Sequence, residues 1–255
     1  MRIMTYNILD GAQNTIDQVV EVITAISPDI LTINEANGFE ADNQAKLKML
    51  AQSTSMPYYF LALCGDGYIY HTAILSRYPI LSTTVLQPSA RAVIVSKVEV
   101  NKKIYQIASV HLSPFSEEKR VDEAKRLLTY VQGTKNVIIS GDLNSLSPLD
   151  EYPEDTVSKM NEGQLRKFTR EGAIQYQVLS SLYSAGFTDC AKQENGSYET
   201  TVPTKVDYDP EHFQNRLDYI LLSSDIADDL IAYEVVKNNL TDFASDHYPV
   251  YVDIN

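Results

Sequence analysis

The chain has 255 residues, 44% of them hydrophobic, and a formal net charge of −13 at pH 7. A chain of this length can bury a large core. No Gly/Ser tract, Pro-rich stretch or repeat marks a linker, so we expect one domain over residues 1–255. This excess of acidic residues argues against a protein that binds duplex DNA along its backbone, because the affinity of such proteins depends on a basic face.

The sequence also bears on location. No apolar stretch approaches the ~20 residues of a membrane-spanning helix, and residues 1–7 enter an apolar strand rather than a signal peptide. Cys64 and Cys190 are too few for a disulfide framework. We therefore expect a cytoplasmic monomer that has no transmembrane segment and keeps its cysteines reduced.

The first part of the chain alternates strands with helices. In chain order, the sequence predicts a strand over residues 2–9, a helix over 16–26, a strand over 30–33 and a polar helix over 40–54. The helix over 16–26 rests on apolar residues at helical spacing, and Ser27-Pro28-Asp29 ends it. The two strands lead into polar residues, Asn7 in the first and Asn34-Glu35 after the second.

The rest of the chain is richer in strands. Runs of β-branched and aromatic residues predict strands over 57–63, 71–76, 80–86, 91–100, 104–110, 137–140, 216–222 and 248–254. Helices are expected over 116–132 and 174–185, with a polar, irregular segment over 146–172. Consecutive strands mixed with helices favour two packed mixed sheets with helices outside over one doubly wound parallel sheet.

Polar side chains gather where the predicted strands end or begin. Ser140-Gly141-Asp142-Leu143-Asn144-Ser145 follows one apolar run, and Ser245-Asp246-His247-Tyr248-Pro249-Val250 leads into the last one. Carboxylate, carboxamide and imidazole groups that converge at strand ends can hold a hard divalent cation and position a water against phosphorus. Together with Asn7 and Glu35, the two motifs favour that chemistry.

In this order, the motifs resemble those of the endonuclease/exonuclease/phosphatase superfamily. The resemblance runs through nearly the whole chain and rests on Tyr6-Asn7, Asn34-Glu35, residues 74–80, Val110-His111-Leu112, Gly141-Asp142-Leu143-Asn144, Arg216-Leu217-Asp218-Tyr219 and residues 245–250. It implies an α/β (α+β) fold, a four-layer αββα sandwich, and a metal-dependent phosphoester hydrolase. The chain has no Trp, so the tryptophans with which several DNA-repair members meet their substrate have no counterpart.

Three residues are candidates for a Mg²⁺ (or Mn²⁺) site. The resemblance implies a metal ligand at Glu35, whose carboxylate would be costly to bury alone. The alternative is a solvated Glu at a strand-to-helix junction. Asn7 could hydrogen-bond a metal-bound water or Glu35, or it could form a turn. Asp246 would complete the metal or water shell, unless it belongs to a surface turn before the last strand.

Five residues are candidates for the chemical step. Asp142 and Asn144 lie two apart on a segment expected to be extended, so their side chains should point the same way. Ionised Asp142 would orient or deprotonate the attacking water, while Asn144 would donate to a phosphate oxygen or, alternatively, form an Asx-turn. His247 is a candidate charged donor to the phosphoryl oxygens. The resemblance supplies Asp218, expected inside its strand, as its partner. It also implies that His111 contacts the scissile phosphate or assists the leaving oxygen; the alternative is a structural His at a strand end.

A compact basic stretch follows the Asp142 motif in this acidic chain; its members are Lys159, Arg166, Lys167 and Arg170. Arg166 and Lys167, together with Asn144 and His111, are candidate substrate-binding residues. A solvated helix face is the alternative explanation of the basic stretch.

The leading hypothesis is a Mg²⁺- or Mn²⁺-dependent hydrolase that cleaves phosphoesters, phosphodiesters in particular, by in-line attack of an activated water. Its substrate would be a phosphorylated small molecule, a lipid headgroup or a nucleic acid. One alternative is a nuclease that acts on DNA or RNA ends or abasic sites. Another is an inactive binding module on the same fold, although Glu35, Asp142, Asn144, Asp246 and His247 are all present.

Overall fold

Two six-stranded mixed sheets pack against each other in the computed structural model, which describes residues 1–65, 67–86, 91–195, 199–206 and 213–255. In spatial order, the first sheet consists of β13 (Leu230–Val235), β14 (Val250–Ile254), β1 (Arg2–Asn7), β2 (Ile30–Asn34), β4 (Thr72–Ser76) and β3 (Tyr58–Ala62). The second consists of β11 (Phe187–Asp189), β12 (Asp218–Ser223), β8 (Val137–Asp142), β7 (Lys103–His111), β6 (Val93–Val100) and β5 (Ile80–Leu86). β1 runs parallel to β2 and β7 runs parallel to β8.

The helices flank these sheets. They are α1 (Leu9–Ala12), α2 (Ile16–Ile26), α3 (Ala41–Ser53), α4 (Glu117–Val131), α5 (Glu162–Phe168), α6 (Gln177–Ser184) and α7 (Cys190–Asn195), with 3-10 turns at Val157–Lys159 and Ala227–Asp229. A hairpin of β9 (Thr169–Arg170) and β10 (Ala173–Ile174) follows α5. No helix in the described part of the chain has the length and apolar character of a membrane span.

Apolar side chains fill three interfaces: one between the two sheets, and one between each sheet and the helices on its outer face. Successive side chains of a strand point to opposite faces, so each sheet supplies one face to the central core, with Ile30 from β2 and Ile138 from β8 among its members. On the outer face of the first sheet, α2 and α3 pack through side chains such as Val19 and Leu47. On the outer face of the second, α4 and α6 pack through residues such as Leu127. The expected four-layer αββα fold is therefore confirmed.

The predicted helices and strands are present, with ends that differ by up to three residues. Two of these differences concern candidate site residues. β8 continues to Asp142, which is therefore the last residue of its strand rather than a residue beyond it. β12 begins at Asp218, so the expectation that this carboxylate lies inside its strand is wrong.

The expectation of an irregular segment over 146–172 is also wrong. Its helix α5 begins with a capping box, in which the Asn161 side chain accepts from Gln164 N and the Gln164 side chain accepts from Asn161 N. Phe168 at the end of α5 packs with Met160 and Phe213 in a small apolar cluster beside the main layers. A helix of seven residues is too short to display a helical period in the sequence.

Outside residues 146–172, the elements without a counterpart among the predicted ones are α1, β10, β11, α7 and β13. β13 lies at the edge of the first sheet, where a register shift between Leu230 and Ala232 interrupts its pairing with β14. Such an irregularity breaks the alternation by which a strand is recognised in a sequence. β11 has only three residues, too few for any period.

A close backbone approach fixes the end of β8 beside β7. Gly141 has a φ of +151°, and a Cβ atom at this position would lie 1.8 Å from the carbonyl oxygen of Val110 on β7. No side chain can be accommodated there without moving one of the strands. Gly141 directly precedes Asp142, so the approach also sets the position of that carboxylate.

We predict that Gly141→Ala lowers the free energy of unfolding by more than about 2 kcal/mol, because the methyl group forces β7 and β8 apart. Urea denaturation monitored by circular dichroism measures the change. The control is Gly172→Ala, at a φ of +80° with no neighbouring atom within 4 Å, where only backbone strain of about 1 kcal/mol is expected. Equal losses in the two variants would show that the approach to Val110 is not restrictive.

Candidate active site

Strand register brings the polar strand ends into two rows. In the second sheet, Asp142 on β8 is directly opposite His111 on β7 and Asp218 on β12. In the first sheet, Asn7 on β1 is opposite Asn34 on β2. Side chains directly opposite each other on neighbouring strands lie on the same face, so each row forms a continuous polar edge.

Asn34 joins the two rows. Its side-chain Nδ2 donates to the carbonyl oxygen of Val110 at 3.0 Å, and its Oδ1 accepts from the backbone N of Asp142 at 2.9 Å. The side chain is completely buried, so both of its bonds are made away from water. Sequence analysis did not place Asn34 among the site residues, although a carboxamide ending the apolar run Ile30–Asn34 is a signal that could have found it.

The carboxylate of Asp142 lies at the centre of the site. Its Oδ2 accepts from Asn7 Nδ2 at 3.3 Å and lies 3.5 Å from His111 Nε2 and 3.9 Å from His247 Nε2. Burial raises the pKa of Asp142 to about 6, although the charge of His247 opposes the shift. A carboxyl group that ionises in this range is suited to accept a proton near neutral pH.

His247 and Asp218 form a buried ion pair. His247 Nδ1 lies 2.7 Å from Asp218 Oδ2. Burial disfavours the charged ring, but the carboxylates of Asp218, Asp246 and Asp142 outweigh it and raise the pKa of His247 to about 10. The ring is therefore an imidazolium at neutral pH, with Nε2 directed toward Asp142.

His111 has the opposite charge state. Burial and the nearby guanidinium of Arg91 hold its pKa well below the ordinary value, so the ring is neutral. Arg91 Nε lies 3.4 Å from His111 Nε2, and its guanidinium stacks over the Tyr70 ring at 4.2 Å. Sequence analysis did not identify Arg91, which stands two residues before β6 in the apolar run Ala90-Arg91-Ala92-Val93.

Asn144 adopts a different arrangement from the expected one. Its φ of +49° turns the chain, so the segment from Asp142 is not extended. The backbone N of Asn144 donates to Asp142 Oδ1 at 2.8 Å, which is an Asx-turn, and its side-chain Nδ2 donates to the carbonyl oxygen of Leu112 at 2.8 Å. The amide therefore ties the loop after β8 to the loop after β7.

The three candidate metal-site residues all follow or adjoin strand ends of the first sheet. Glu35, at a φ of +62°, accepts from the backbone N of Asp10 at 3.0 Å. Asn7 Oδ1 accepts from the backbone N of Leu9 at 3.2 Å. The hydroxyl of Ser245 lies 3.3 Å from Asp246 Oδ1 and donates to the backbone oxygen of Asn7 at 2.7 Å. One hydroxyl thus links Asp246 to β1.

This donor set fits one kind of metal site. Within the described residues, no three His, Cys, Asp or Glu side chains form a cluster that could enclose a metal. Mg²⁺ does not need such a cage, because it is usually held by one or two carboxylates while waters and substrate phosphates complete its octahedron. The oxygen atoms of Glu35, Asp246 and Asn7 are ligands of this type, so the residues present fit a sparsely held Mg²⁺ or Mn²⁺.

The basic stretch is divided between the surface and the site. Burial lowers the pKa of Lys167 to about 8, a shift that the carboxylates of Asp142, Asp218 and Glu35 oppose. Lys167 therefore shares the electrostatic environment of the active-site row. The other members pair with surface carboxylates: Lys159 with Asp155 at 2.9 Å, Arg166 with Glu162 at 3.9 Å and Arg170 with Glu118 at 3.2 Å.

A family model described as the Endonuclease/Exonuclease/phosphatase family matches residues 4–247. The chain belongs to this family. The resemblance noted from the sequence motifs is therefore confirmed. Members of the endonuclease/exonuclease/phosphatase family are phosphoester hydrolases and generally depend on divalent metals. No curated protein matches the sequence.

Solved structures of the same family share the fold. An AP endonuclease from Archaeoglobus fulgidus has a TM-score of 0.72 at 17% identity, with 100% of this chain and 99% of that chain covered. The 3′ phosphatase NExo from Neisseria, bound to a product DNA hairpin, has a TM-score of 0.73 at 18% identity, with the same coverage. A humanized D. rerio TDP2 has a TM-score of 0.65 at 15% identity, covering 100% of this chain and 98% of that chain.

Within this family fold, Arg216 anchors the start of β12. Its guanidinium is fully buried and lies 2.9 Å from Asp150 Oδ1 and 2.7 Å from Asp189 Oδ2. Two buried carboxylates and one guanidinium satisfy each other's hydrogen bonds, an arrangement that is costly to break by removing one partner. Because Asp218 follows Arg216 by two residues, the cluster fixes the carboxylate that faces His247.

We predict that Asp218→Asn lowers the pKa of His247 from about 10 toward or below its ordinary value near 6.5. The variant removes the charge that opposes desolvation of the ring. An NMR titration of the metal-free protein measures the change, and His71, which directly precedes β4 of the first sheet, serves as the internal control. A His247 pKa that stays near 10 in the variant would mean that Asp218 does not hold the ring charged.

Proposed function

We propose that the chain is a divalent-metal-dependent hydrolase that cleaves phosphoesters, phosphodiesters in particular, by in-line attack of an activated water. The observation that carries the proposal is that Asp142 Oδ2 lies 3.9 Å from His247 Nε2, so that a proton acceptor and a proton donor are side by side. Asp142 loses its proton at about pH 6, whereas His247 keeps its proton to about pH 10. Between these values the site presents a proton acceptor beside a charged donor, as hydrolysis by general base catalysis requires.

Each of the candidate catalytic residues has a role in this reaction. Asp142 orients the attacking water and accepts its proton. His247 donates from Nε2 to a phosphoryl oxygen, where negative charge develops during attack, and Asp218 keeps it protonated. Neutral His111, beside Asp142, would contact the phosphate group. The amide of Asn144 donates one N–H to the carbonyl of Leu112 and would donate the other to the phosphate.

Glu35, Asp246 and Asn7 would hold the Mg²⁺ or Mn²⁺ ion. When bound, the metal supplies Lewis-acid polarisation of a phosphoryl oxygen. Because these residues lie in or near strands of the first sheet and Asp142 and Asp218 lie at strand ends of the second, the phosphate would lie between the two groups. Lys167, facing the same carboxylates, adds positive charge for phosphate binding, and Arg166 extends that charge outward.

A nuclease is the second candidate within this class. It is favoured by the printed descriptions of the neighbours, an AP endonuclease and a 3′ phosphatase bound to a DNA hairpin. The net charge of −13 restricts such a substrate to short contacts near an end or an abasic site. An inactive binding module is disfavoured, because Asp142 and His247 retain the charge states that catalysis needs. A cytoplasmic location, a single domain and a monomeric state remain predictions from the sequence.

We predict that EDTA abolishes hydrolysis and that added Mg²⁺ or Mn²⁺ restores it. The assay is a panel at fixed salt that contains a bis-aryl phosphate, inositol phosphates, single-stranded oligonucleotides and an abasic-site duplex. The substrate that is turned over fastest identifies the preferred class. Undiminished turnover after exhaustive chelation would contradict the role of the metal.

In the same assay, Asp142→Asn should keep the fold and lower turnover at least ~10²-fold, because an amide cannot accept the proton of the attacking water. Asp155→Asn makes the same substitution at an exposed carboxylate that pairs with Lys159 and should leave turnover unchanged. Near-normal activity of Asp142→Asn would place the base elsewhere.

A further inference from the structure

An exposed aromatic patch lies on two loops that leave the strand ends next to the active site. The rings of Tyr68 and Phe115 are 6.2 Å apart, and Phe115 leaves 48% of its surface exposed. Ile69, beside Tyr68, is 53% exposed. Large apolar side chains grouped at the surface beside a catalytic cleft are a signal of ligand contact. We call Tyr68 and Phe115 the ring platform.

Chain topology places the ring platform next to the reacting groups. β7 ends at His111, and Phe115 lies four residues beyond it on the loop that leads to α4. β4 starts at Thr72, which is opposite Asn34 on β2, and Tyr68 lies on the loop just before it. Both loops therefore leave the same edge of the sandwich as the two polar rows.

A series of side-chain contacts connects the loop that carries Tyr68 to Asp142. Tyr70, two residues after Tyr68, stacks with the guanidinium of Arg91 at 4.2 Å. Arg91 Nε is 3.4 Å from His111 Nε2, which in turn is 3.5 Å from Asp142 Oδ2. This side-chain path links the phosphate-binding centre to the loop that carries Tyr68.

Positive charge accompanies the rings. The ammonium of Lys119 lies 4.9 Å from the centre of the Phe115 ring. It places a cation beside an exposed ring in a protein whose net charge is −13. Flat rings beside cations are the combination with which proteins hold single-stranded nucleic acids, since the rings stack on bases and the cations contact phosphates.

We propose that the ring platform stacks an unpaired nucleobase next to the scissile phosphate, so that the substrate is a single-stranded end or a flipped-out nucleotide. The inference rests on the proposed hydrolase function and specifies its substrate class. A duplex gripped along its length would need a broad basic face, which the acidic composition disfavours. An acyl chain would use the apolar side chains, but it would gain nothing from the Lys119 ammonium beside the Phe115 ring.

The test measures binding without turnover. Metal-free protein in EDTA is titrated with a short single-stranded oligonucleotide that carries 2-aminopurine as its terminal base, whose fluorescence is quenched on stacking. The double variant Tyr68→Leu/Phe115→Leu keeps the apolar bulk and removes both rings. It should weaken the Kd by about tenfold or more and abolish the quenching. The same oligonucleotide with an abasic terminal residue should bind wild type and variant equally.

The matched control is Tyr58→Leu. Tyr58 is similarly exposed, at 41%, but lies at the start of β3, opposite Ser76 and at the far end of the strand from Thr72. It should change neither the Kd nor the fluorescence. Unchanged binding and quenching in the double variant would overturn the proposal, as would equal losses in the control.

Two further outcomes distinguish the alternatives. If wild type binds phosphatidylcholine vesicles and only that binding is lost in the double variant, the platform contacts lipid and the proposal is wrong. If the oligonucleotide is bound and quenched as expected but no phosphoester is hydrolysed with Mg²⁺ or Mn²⁺, the platform inference holds while the hydrolase function fails. The reverse pattern, hydrolysis without ring-dependent binding, refutes the platform alone.

Discussion

The side-chain amide of Asn34 is the contact on which the geometry of the active site depends. It reaches from the first sheet to the second, where it donates to the carbonyl of Val110 and accepts from the backbone N of Asp142. Those backbone groups lie at the ends of β7 and β8, and Gly141 lets these strands approach closely. With the bond from Asn7 Nδ2 to Asp142 Oδ2, this buried amide holds the sheets together at the level of Asp142, so that the two polar rows face each other.

The different charge states of His247, His111 and Asp142 follow from this geometry. Buried carboxylates and imidazoles are costly unless they are paired. Asp218 bonds His247 and keeps it charged, whereas burial and the nearby Arg91 keep the His111 ring neutral. Asp142 lies between the two rings, and burial, with the charge of Asp218, raises its pKa although the charge of His247 opposes the shift. The site thus contains a fixed cation, a neutral ring and a carboxylate that can exchange a proton.

The sequence identified the site residues that lie next to apolar strands. It did not identify those whose contacts form only between distant parts of the chain. Asp142 and His247 stand beside apolar runs, so local pattern alone indicates their place. Asn34 and Arg91 acquire their contacts only when the sheets pack, because their partners are 76 and 20 residues away. The turn at Asn144 could not be predicted for the same reason, since its amide is held by the carbonyl of Leu112 in the loop after β7. Among the helices and strands, the long periodic ones were predicted, and the shortest, such as α5 and β11, were not.

The central claim is that Asp218 and His247 act as one catalytic unit beside Asp142. A double-mutant cycle on turnover of the preferred substrate tests it most directly, with Asp218→Asn, His247→Ala and both together. Residues that act as a unit are not additive, so the double variant should be scarcely slower than His247→Ala alone. If the two losses multiply fully, Asp218 acts independently of His247, and the account of the site is contradicted.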